Sequence, residues 1–265
     1  MKPLSEWPSS QRRGMRGVLT DIDDTLTTHG RLTPDVLAAL ERVRAAGLML
    51  IAVTGRPTYW AQPLLRLCGF DAVIAENGAS AFWLDADDVQ QSWFYADATT
   101  RRAHRIALDT FAVTLCQHFP GIAVADDAAQ RIGDLAFDIG ENIPRRTEAE
   151  IDALTTLMRD YGFFAVSSSI HAHASPVAFS KQRTTSRILS EVFGISDASA
   201  CDSFVFIGDS GNDATMFSHY PHTIGVANVA AFLHLLPKPP AYVASAERGA
   251  GFVQIINALL EARES

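Results

Sequence analysis

The segment Val18-Leu19-Thr20-Asp21-Ile22-Asp23-Asp24-Thr25 decides how the chain is interpreted. A short, mainly apolar run precedes a cluster of acids, which predicts a buried strand that opens onto a loop. Asp21 and Asp23 can both face one site where the chain begins to turn. Aspartate is a competent nucleophile in phosphoryl transfer, and a second carboxylate can protonate a leaving alcohol and then activate water. The same acids could instead cap a loop or a helix.

Strands and helices alternate around this segment. Thr33 can cap a helix that begins at Pro34, and Gly47 ends that helix. Further strands are predicted at Leu48–Val53, Ala72–Ala75, Phe204–Ile207, Thr223–Val226 and Tyr242–Ala244. Short strands joined by helices predict an α/β fold with a doubly wound parallel sheet. Ligands gather at the carboxyl ends of the strands in such sheets.

The middle of the chain has a different pattern, with two predicted helices. One spans Thr99–His118, and the other begins at Thr147 with a capping box to Glu150. Segments typical of strands lie around them: Ala81–Leu84, Ser92–Tyr95, Leu135–Ile139 and Phe163–Ser168. We therefore predict three parts: a polar N-terminal leader (1–15), a core domain (16–80 and 177–265) and an inserted α+β domain (81–176).

A second acid cluster, Gly208-Asp209-Ser210-Gly211-Asn212-Asp213, also follows an apolar strand. Two more acids at a strand end of the same sheet would repel the first pair strongly unless a cation compensates them. Oxygen ligands from a few carboxylates, together with water and a substrate phosphate, suit Mg²⁺. The ion would also neutralise phosphate oxygens during transfer. A glycine-rich turn with solvated acids is the alternative.

Two further polar residues lie at the ends of predicted elements. Thr54 follows a strand, and its hydroxyl and the next backbone N–H groups could hold phosphate oxygens, because the loop opens a predicted helix. Lys181 begins a predicted helix, an unfavourable place for positive charge. A site that holds several aspartates and a phosphate supplies a reason for a lysine there.

The bulk properties favour a small-molecule enzyme. The net charge of -8 gives a nucleic-acid partner no electrostatic support. The three cysteines are odd in number and far apart, with no Cys-x-x-Cys pair, which argues against both a disulfide framework and a zinc cluster. No apolar run suits a signal peptide or a membrane anchor. We expect a cytoplasmic protein without a membrane partner, and leave monomer and homodimer open.

Taken together, the four motifs resemble the haloacid dehalogenase superfamily. That superfamily has four motifs in a fixed order: an Asp-x-Asp motif, a Thr at a strand end, a Lys and an acidic Gly-Asp motif. The chain matches them in the same order with Asp21-Ile22-Asp23, Thr54, Lys181 and Gly208–Asp213. The resemblance covers about residues 16–80 and 177–262. It implies a Rossmann-like core, a covalent aspartyl-phosphate intermediate and Mg²⁺ as cofactor.

The resemblance also implies a role for each matched residue. Asp21 would attack phosphorus and bind the metal through its side chain. Asp23 would be the general acid and base, and its backbone carbonyl would bind the metal. Thr54 and Lys181 would hold the transferring phosphoryl group, and Lys181 would also restrain the nucleophile.

Asp209 and Asp213 are the other metal-site residues that the resemblance implies. Asp209 would be a ligand, and Asp213 would support the metal or Lys181. Asn212 would contact the substrate.

The position of the insertion resembles that of subfamily IIB, with its second type of cap. Sugar-phosphate phosphatases and phosphomannomutases share this arrangement. The signatures Thr54-Gly55-Arg56 and Glu76-Asn77-Gly78 also look like the Cof-type and sucrose-phosphatase-like branch, which adds Gly55, Arg56 and Asn77 to the expected substrate contacts. The cap would act as a lid that excludes water and selects the leaving group.

Within the predicted cap, Ser168–His173 is the most polar strand-like stretch. Alternate residues of a strand share a face, so Ser169, His171 and His173 could line one surface that meets substrate. Partly exposed, inert histidines are the alternative. Three weaker candidates are Arg131, Asp134 and Asp138.

These observations predict a phosphatase that hydrolyses a small phosphate monoester, with a sugar phosphate as the favoured class. A phosphomutase or phosphotransferase of the phosphomannomutase type is the alternative on the same scaffold. A dehalogenase needs neither a leaving-group acid such as Asp23 nor Mg²⁺. Receiver domains are much shorter, and an inactive scaffold predicts the loss of a motif residue, whereas all are present here.

Overall fold

A computed structural model describes residues 1–264 of the chain. The larger of its two sheets has nine strands: β1 Lys2–Pro3, β2 Gly17–Thr20, β3 Met49–Val53, β4 Ala72–Ala75, β5 Ser80–Leu84, β6 Gln90–Phe94, β10 Phe204–Gly208, β11 Thr223–Gly225 and β12 Tyr242–Val243. Their order across the sheet is β1-β12-β11-β10-β2-β3-β4-β5-β6. The smaller sheet contains β7 Leu135–Asp138, β8 Phe164–Ser167 and β9 His171–Ser175.

Ten α-helices accompany these strands within residues 1–264. They are α1 Ser9–Gly14, α2 Pro34–Ala45, α3 Thr58–Ala61, α4 Leu64–Leu67, α5 Ala98–His118, α6 Glu148–Asp160, α7 Lys181–Glu191, α8 Asp197–Ser203, α9 Ala214–His219 and α10 Arg248–Glu264. In this described part of the chain, no helix combines the length and the apolar character needed to cross a bilayer.

The centre of the large sheet is parallel, as the sequence predicted. Thr20 of β2 pairs with Ile207 of β10 on one side and with Ala52 of β3 on the other. Strands that run in the same direction and in this register end at one edge of the sheet. The loops that begin at Asp21, Thr54 and Asp209 therefore emerge next to one another.

Helices cover both faces of the sheet, because the side chains of each strand alternate between two apolar clusters. Val18 faces a cluster with residues of α2 and α10, including Leu40 and Ile256. Leu19 faces the opposite cluster, which contains Ile188 of α7. All of these side chains are almost completely buried. The sheet is therefore doubly wound, which confirms the predicted fold class.

The insertion forms an α+β unit with its own core. Its three strands are antiparallel in the order β7-β9-β8. Leu108 and Phe111 of α5 pack with Ile151 and Leu154 of α6 against Phe137 of β7. The predicted capping box at the start of α6 is present. The Thr147 hydroxyl accepts from the backbone N–H of Glu150, and the Glu150 carboxylate accepts from the backbone N–H of Thr147.

Two predicted domain boundaries differ from the structure. The predicted insertion begins at residue 81 and would include residues 81–84 of β5 and all of β6, but β5 pairs with β4 and β6 pairs with β5 as antiparallel strands at the edge of the core sheet. The part outside this sheet begins with α5. The predicted leader also belongs to the core, because β1 pairs with β12 and Trp7 is buried. Local patterning could not reveal which sheet an edge strand joins.

Candidate active site

Lys181 connects the two acid clusters. Its ammonium group donates to Asp21 at 2.6 Å and to Asp213 at 2.7 Å, and all three side chains are buried. Lys181 is the first residue of α7 and lies 160 positions from Asp21 in sequence. The fold therefore brings together Asp21, the predicted nucleophile, and the lysine that sequence analysis placed in the same site.

Asp213 organises the loop after β10. Its second carboxylate oxygen accepts from the backbone N–H groups of Asp209 at 2.9 Å and Ser210 at 3.3 Å. A Cβ atom at position 208 would collide with this carboxylate, which explains the glycine there. Because both oxygens of Asp213 are engaged, its main interactions are with Lys181 and with the loop.

Asp209 has partners that sequence analysis missed. The Thr25 hydroxyl donates to one carboxylate oxygen at 3.2 Å, and the Asn228 side-chain amide donates to the other at 2.9 Å. Asn228 also donates to the backbone carbonyl of Asp24. Asn228 follows β11, so the rule that ligands gather at strand ends was the only signal that could have found it.

The buried acids exceed the nearby positive charge. Asp21, Asp209 and Asp213 have carboxylate oxygens within 4.8 Å of one another, and Lys181 is the cation that they share. Burial raises the pKa of Asp21 to about 8, with further increases from Asp213 and Asp23, although Lys181 opposes the shift. Burial and the neighbouring Asp21 likewise raise the pKa of Asp209. Burial would lower the pKa of Lys181, but the contacts with Asp21 and Asp213 raise it.

This charge imbalance suits a divalent cation. Burial and the neighbouring carboxylates raise the pKa of Asp21 and of Asp209. A hard cation with oxygen ligands would stabilise the ionised form of such a group. The side chains of Asp21 and Asp209 and the backbone carbonyl of Asp23 fit this role. The engaged oxygens of Asp213 suit a supporting role better than a direct ligand.

The Thr54-Gly55-Arg56 segment lies beside the acids with little free space. Thr54 is fully buried, and its hydroxyl oxygen accepts from the backbone N–H of Arg56 at 3.0 Å. A Cβ atom at Gly55 would lie 3.2 Å from the side chains of both Asn77 and Asn212. These two amides also contact each other, as Asn212 donates to Asn77 at 3.1 Å. The residues predicted from the two signatures are therefore neighbours.

Known proteins resemble this arrangement in sequence and in fold. The family model for haloacid dehalogenase-like hydrolases matches residues 18–111, which include Asp21, Asp23 and the Thr54-Gly55-Arg56 segment. A phosphoglycolate phosphatase from Methanospirillum hungatei is 25% identical over 248 residues, 91% of this chain and 95% of that protein.

Over residues 18–111 the chain resembles the haloacid dehalogenase-like hydrolases.

Solved structures show the same fold at lower identity. The sucrose-phosphatase from Synechocystis in complex with sucrose and phosphate superposes with a TM-score of 0.63 at 16% identity, over 92% of this chain and 98% of that one. A sugar phosphatase of haloacid dehalogenase subclass IIB gives a TM-score of 0.62 at 17% identity, with the same coverage. The predicted combination of a Rossmann-like core with an inserted cap is thus confirmed.

Arg56 bridges the core and the cap. It contacts the Asp23 carboxylate at 2.7 to 2.9 Å and the Glu141 carboxylate at 2.9 Å. Glu141 follows β7 in the cap and was missed by sequence analysis, which had no signal for a partner so distant in the chain. The pKa of Glu141 falls to about 2, because the contacts to His171 and Arg56 favour its charged form.

The two cap histidines have different partners. The rings are neighbours on β9, 5.8 Å apart. His171 Nε2 lies 2.8 Å from Glu141, although the angle is poor for a hydrogen bond. His173 contacts Asp134 through Nδ1 at 2.8 Å. Ser169 precedes β9 in a turn, so it does not share their strand face as predicted.

The weaker candidates are structural residues of the cap. The buried Arg131 guanidinium contacts Asp127 and Asp134 at 2.8 to 2.9 Å, and it donates to the backbone carbonyl of Gly55 at 3.0 Å. Asp138 accepts from the backbone N–H groups of the turn at residues 140–142. We call Arg131, Asp127, Asp134 and His173 the Arg131 cluster.

A buried carboxylate of the second signature anchors the cap to the core. Glu76 accepts from the backbone N–H groups of residues 132–134 at 2.6 to 3.2 Å, and from that of Thr58 at 2.9 Å. Burial raises the pKa of Glu76, and the nearby Asp134 raises it further. The signature thus joins cap and core through Glu76, while its Asn77 faces the candidate site.

The cap closes over the active site. The turn at residues 168–171 lies opposite Asp21, Asp23, Arg56 and Asn212 around one cavity. The remaining space is about 10 Å³, enough for roughly one water molecule. This arrangement is closed, and a phosphate ester needs a larger opening between cap and core.

Proposed function

We propose that this hydrolase is a Mg²⁺-dependent phosphatase that cleaves a small phosphate monoester through an aspartyl-phosphate on Asp21. The observation that carries the proposal is the position of Lys181, 2.6 Å from Asp21 and 2.7 Å from Asp213. A buried ammonium between two carboxylates can orient the nucleophile and neutralise a phosphoryl group beside it. The family match and the phosphatase names of its relatives support the same assignment.

The reaction then has two displacements at phosphorus. In the first, a carboxylate oxygen of Asp21 forms a bond to phosphorus as the bond to the ester oxygen breaks, and Asp23 gives a proton to the leaving alkoxide. In the second, Asp23 takes a proton from water as the water oxygen attacks phosphorus. The bond to Asp21 breaks, and free phosphate and the original carboxylate result.

The chain supplies the groups that hold a cation and the phosphoryl group. Asp21, Asp209 and the carbonyl of Asp23 would bind Mg²⁺, which supplies charge neutralisation for the phosphate oxygens. The Thr54 hydroxyl and Lys181 would hold the transferring group. Gly55, Arg56, Asn77 and Asn212 would surround the rest of the phosphate.

Arg56 links substrate binding to the general acid. In the closed arrangement it neutralises Asp23, so Asp23 needs Arg56 to shift before it can transfer a proton freely. An arriving anionic substrate offers Arg56 a new partner, and Glu141 offers it another on the cap side. We infer that substrate entry opens the cap and that Arg56 re-pairs as the cap closes.

The substrate class is inferred from the lining of the site and from the relatives. The cavity is lined by Arg56, His171 and the polar turn before β9, and such groups suit the polar leaving group of a small phosphate monoester. A sugar phosphate remains the class predicted from sequence, and the structural neighbours with sugar-phosphatase and sucrose-phosphatase names agree with it. The relatives named phosphoglycolate phosphatase make phosphoglycolate the second ester to assay.

The test is release of free phosphate from an aryl phosphate and from a panel of such monoesters in the presence of Mg²⁺. Asp21→Asn should lower kcat/KM by about 10⁴-fold or more, because a carboxamide is a poor nucleophile. Asp35→Asn, the same change on the exposed surface of α2, is the control. Full activity in Asp21→Asn would reject the nucleophile, and isomerised sugar phosphate without free phosphate would favour the mutase.

A further inference from the structure

A second group of metal-ligating side chains lies outside the active site, where α8 and α9 meet. It contains Asp197, Cys201 and His219, whose ligand atoms all lie within 4.8 Å of one another. Asp197 and Cys201 are four residues apart in α8 and therefore share one face of the helix. His219 is the last residue of α9. None of these residues belongs to the motifs of the phosphatase site.

The distances within this group match those between ligands of one tetrahedral ion. Zinc lies about 2.3 Å from a thiolate sulfur and about 2.0 Å from an imidazole nitrogen, so at a tetrahedral angle sulfur and nitrogen are about 3.5 Å apart. Cys201 Sγ lies 3.5 Å from His219 Nε2. Asp197 Oδ1 lies 2.9 Å from the same nitrogen, so a small outward movement makes room for the ion.

A buried hydroxyl lies beside the group. Tyr220 is fully buried, and the polar side chains near its hydroxyl are those of Ser186, Cys201 and Asp197. A buried donor therefore lies next to two of the three ligating side chains.

The surroundings also orient the carboxylate. The Ser186 hydroxyl on α7 donates to Asp197 Oδ1 at 2.5 Å. Carboxylate ligands of metals are commonly held by such outer hydrogen bonds. The side chains of Asp197 and His219 are 49% and 27% exposed, so an ion can reach the group from solvent.

We propose that Asp197, Cys201 and His219 bind one Zn²⁺ ion, with solvent in the fourth position. Sulfur and imidazole ligands favour Zn²⁺, whereas the oxygen-only acids of the active site favour Mg²⁺. The two sites therefore select different metals. Ion binding releases the thiol proton of Cys201 and ties α8 to α9, the helix that follows Asp213 of the active site.

The experiment is a zinc titration of the chelator-treated, reduced full-length protein in excess Mg²⁺, which keeps the active site filled. Calorimetry should show one tight equivalent of Zn²⁺. Cys201→Ala, which keeps the Asp197–His219 contact, should weaken binding by more than about 100-fold, because outer-shell changes alone weaken metal sites by about 10- to 100-fold. Cys116→Ala, at a half-buried cysteine of the cap, is the matched control and should bind as wild type.

Cobalt provides an independent readout. Co²⁺ in place of zinc should give a thiolate-to-metal charge-transfer absorption that is present in Cys116→Ala and absent in Cys201→Ala. Zinc should also raise the Tm of wild type and leave that of Cys201→Ala unchanged. Equal zinc affinity in both cysteine variants, or no stoichiometric binding by a folded wild type, would overturn the proposal. Neither result depends on phosphatase activity.

Discussion

Two buried groups of acids in this molecule have opposite electrostatics. In the active site, the pKa of Asp21 is raised to about 8 and that of Asp209 is raised as well. In the Arg131 cluster, burial alone would raise the pKa of Asp134, but Arg131 and His173 lower it to about 2. Both Asp21 and Asp134 are buried, so burial does not explain the difference.

The difference lies in compensation. Asp134 contacts the Arg131 guanidinium at 2.9 Å and the His173 imidazole at 2.8 Å. Asp127 forms a second ion pair with the same guanidinium. Three carboxylates around Lys181 share a single ammonium. A compensated group stabilises the fold, whereas a group with excess charge is stable only with a proton or a cation. In these two groups, excess negative charge marks the acids proposed to bind a cation, and ion pairing marks the acids that stabilise the cap.

The largest expected stability effect is in the compensated cluster. Asp134→Asn should lower the free energy of unfolding by about 3 kcal/mol, because it leaves the buried Arg131 with one carboxylate partner fewer. Chemical denaturation measures the change, with Asp109→Asn on the surface of α5 as the control. If Asp134→Asn were as stable as this control, the cluster would not be the structural element described here.

In metal-free protein, the two groups should make the free energy of unfolding change with pH in opposite directions. The folded pKa of Asp21 is raised, so its contribution to stability is present below about pH 4 and is lost as the pH rises towards about 8. Asp134 has a lowered pKa, so its contribution is present above about pH 4 and is lost as the pH falls towards 2.

Denaturation of metal-free protein from pH 4 to 8 tests the first of these effects. Wild type should lose stability as the pH rises, and Mg²⁺ should restore it, because the cation favours ionised carboxylates. Asp21→Asn should reduce the slope, whereas Asp109→Asn should keep it. A slope that is unchanged in Asp21→Asn would show that Asp21 is not the proton-binding group.

Removing one acid from the active site should cost no stability. Asp209→Asn relieves repulsion among the buried carboxylates, so the metal-free variant should be as stable as wild type or more stable by about 1 kcal/mol. Its Tm should no longer rise with Mg²⁺, although that of wild type does. A destabilised Asp209→Asn that still responds to Mg²⁺ would place the cation elsewhere.

The smallest effect should come from the link between cap and core. Glu141→Gln keeps the shape of the side chain and removes its charge from Arg56 and His171. The contact between Glu141 and Arg56 is partly exposed, so we expect the free energy of substrate binding to weaken by about 1 kcal/mol. This corresponds to a few-fold rise in KM with kcat little changed. Steady-state kinetics measures KM and kcat separately, with Glu41→Gln on the exposed surface of α2 as the control. A large fall in kcat instead would give Glu141 a role in the chemistry.

The sequence was sufficient for the parallel centre of the core sheet because the signals there are local. Apolar strands that end in Asp21, Thr54 and Asp209 predict parallel strands with aligned ends, and the structure has them in that register. The meeting of Lys181 with Asp21 was expected from the family resemblance, since no local pattern links residues 160 positions apart.

The remaining features depend on contacts between distant segments. Glu141 reaches Arg56 from the cap, and Asn228 reaches Asp209 from another loop, without a motif that marks either. His171 and His173 have the same residue type and the same strand face, but only the fold assigns His173 to Asp134. The pairing of β5 with β4 was hidden for the same reason, because alternation predicts a strand and not its partner.

The central claim is that the uncompensated acids require a cation for turnover. The direct measurement is phosphate release from an aryl phosphate by exhaustively chelated enzyme, before and after addition of Mg²⁺. We predict background rates without the ion and full recovery with it, in a protein that remains folded throughout. Hydrolysis that survives chelation and still depends on Asp21 would contradict the account.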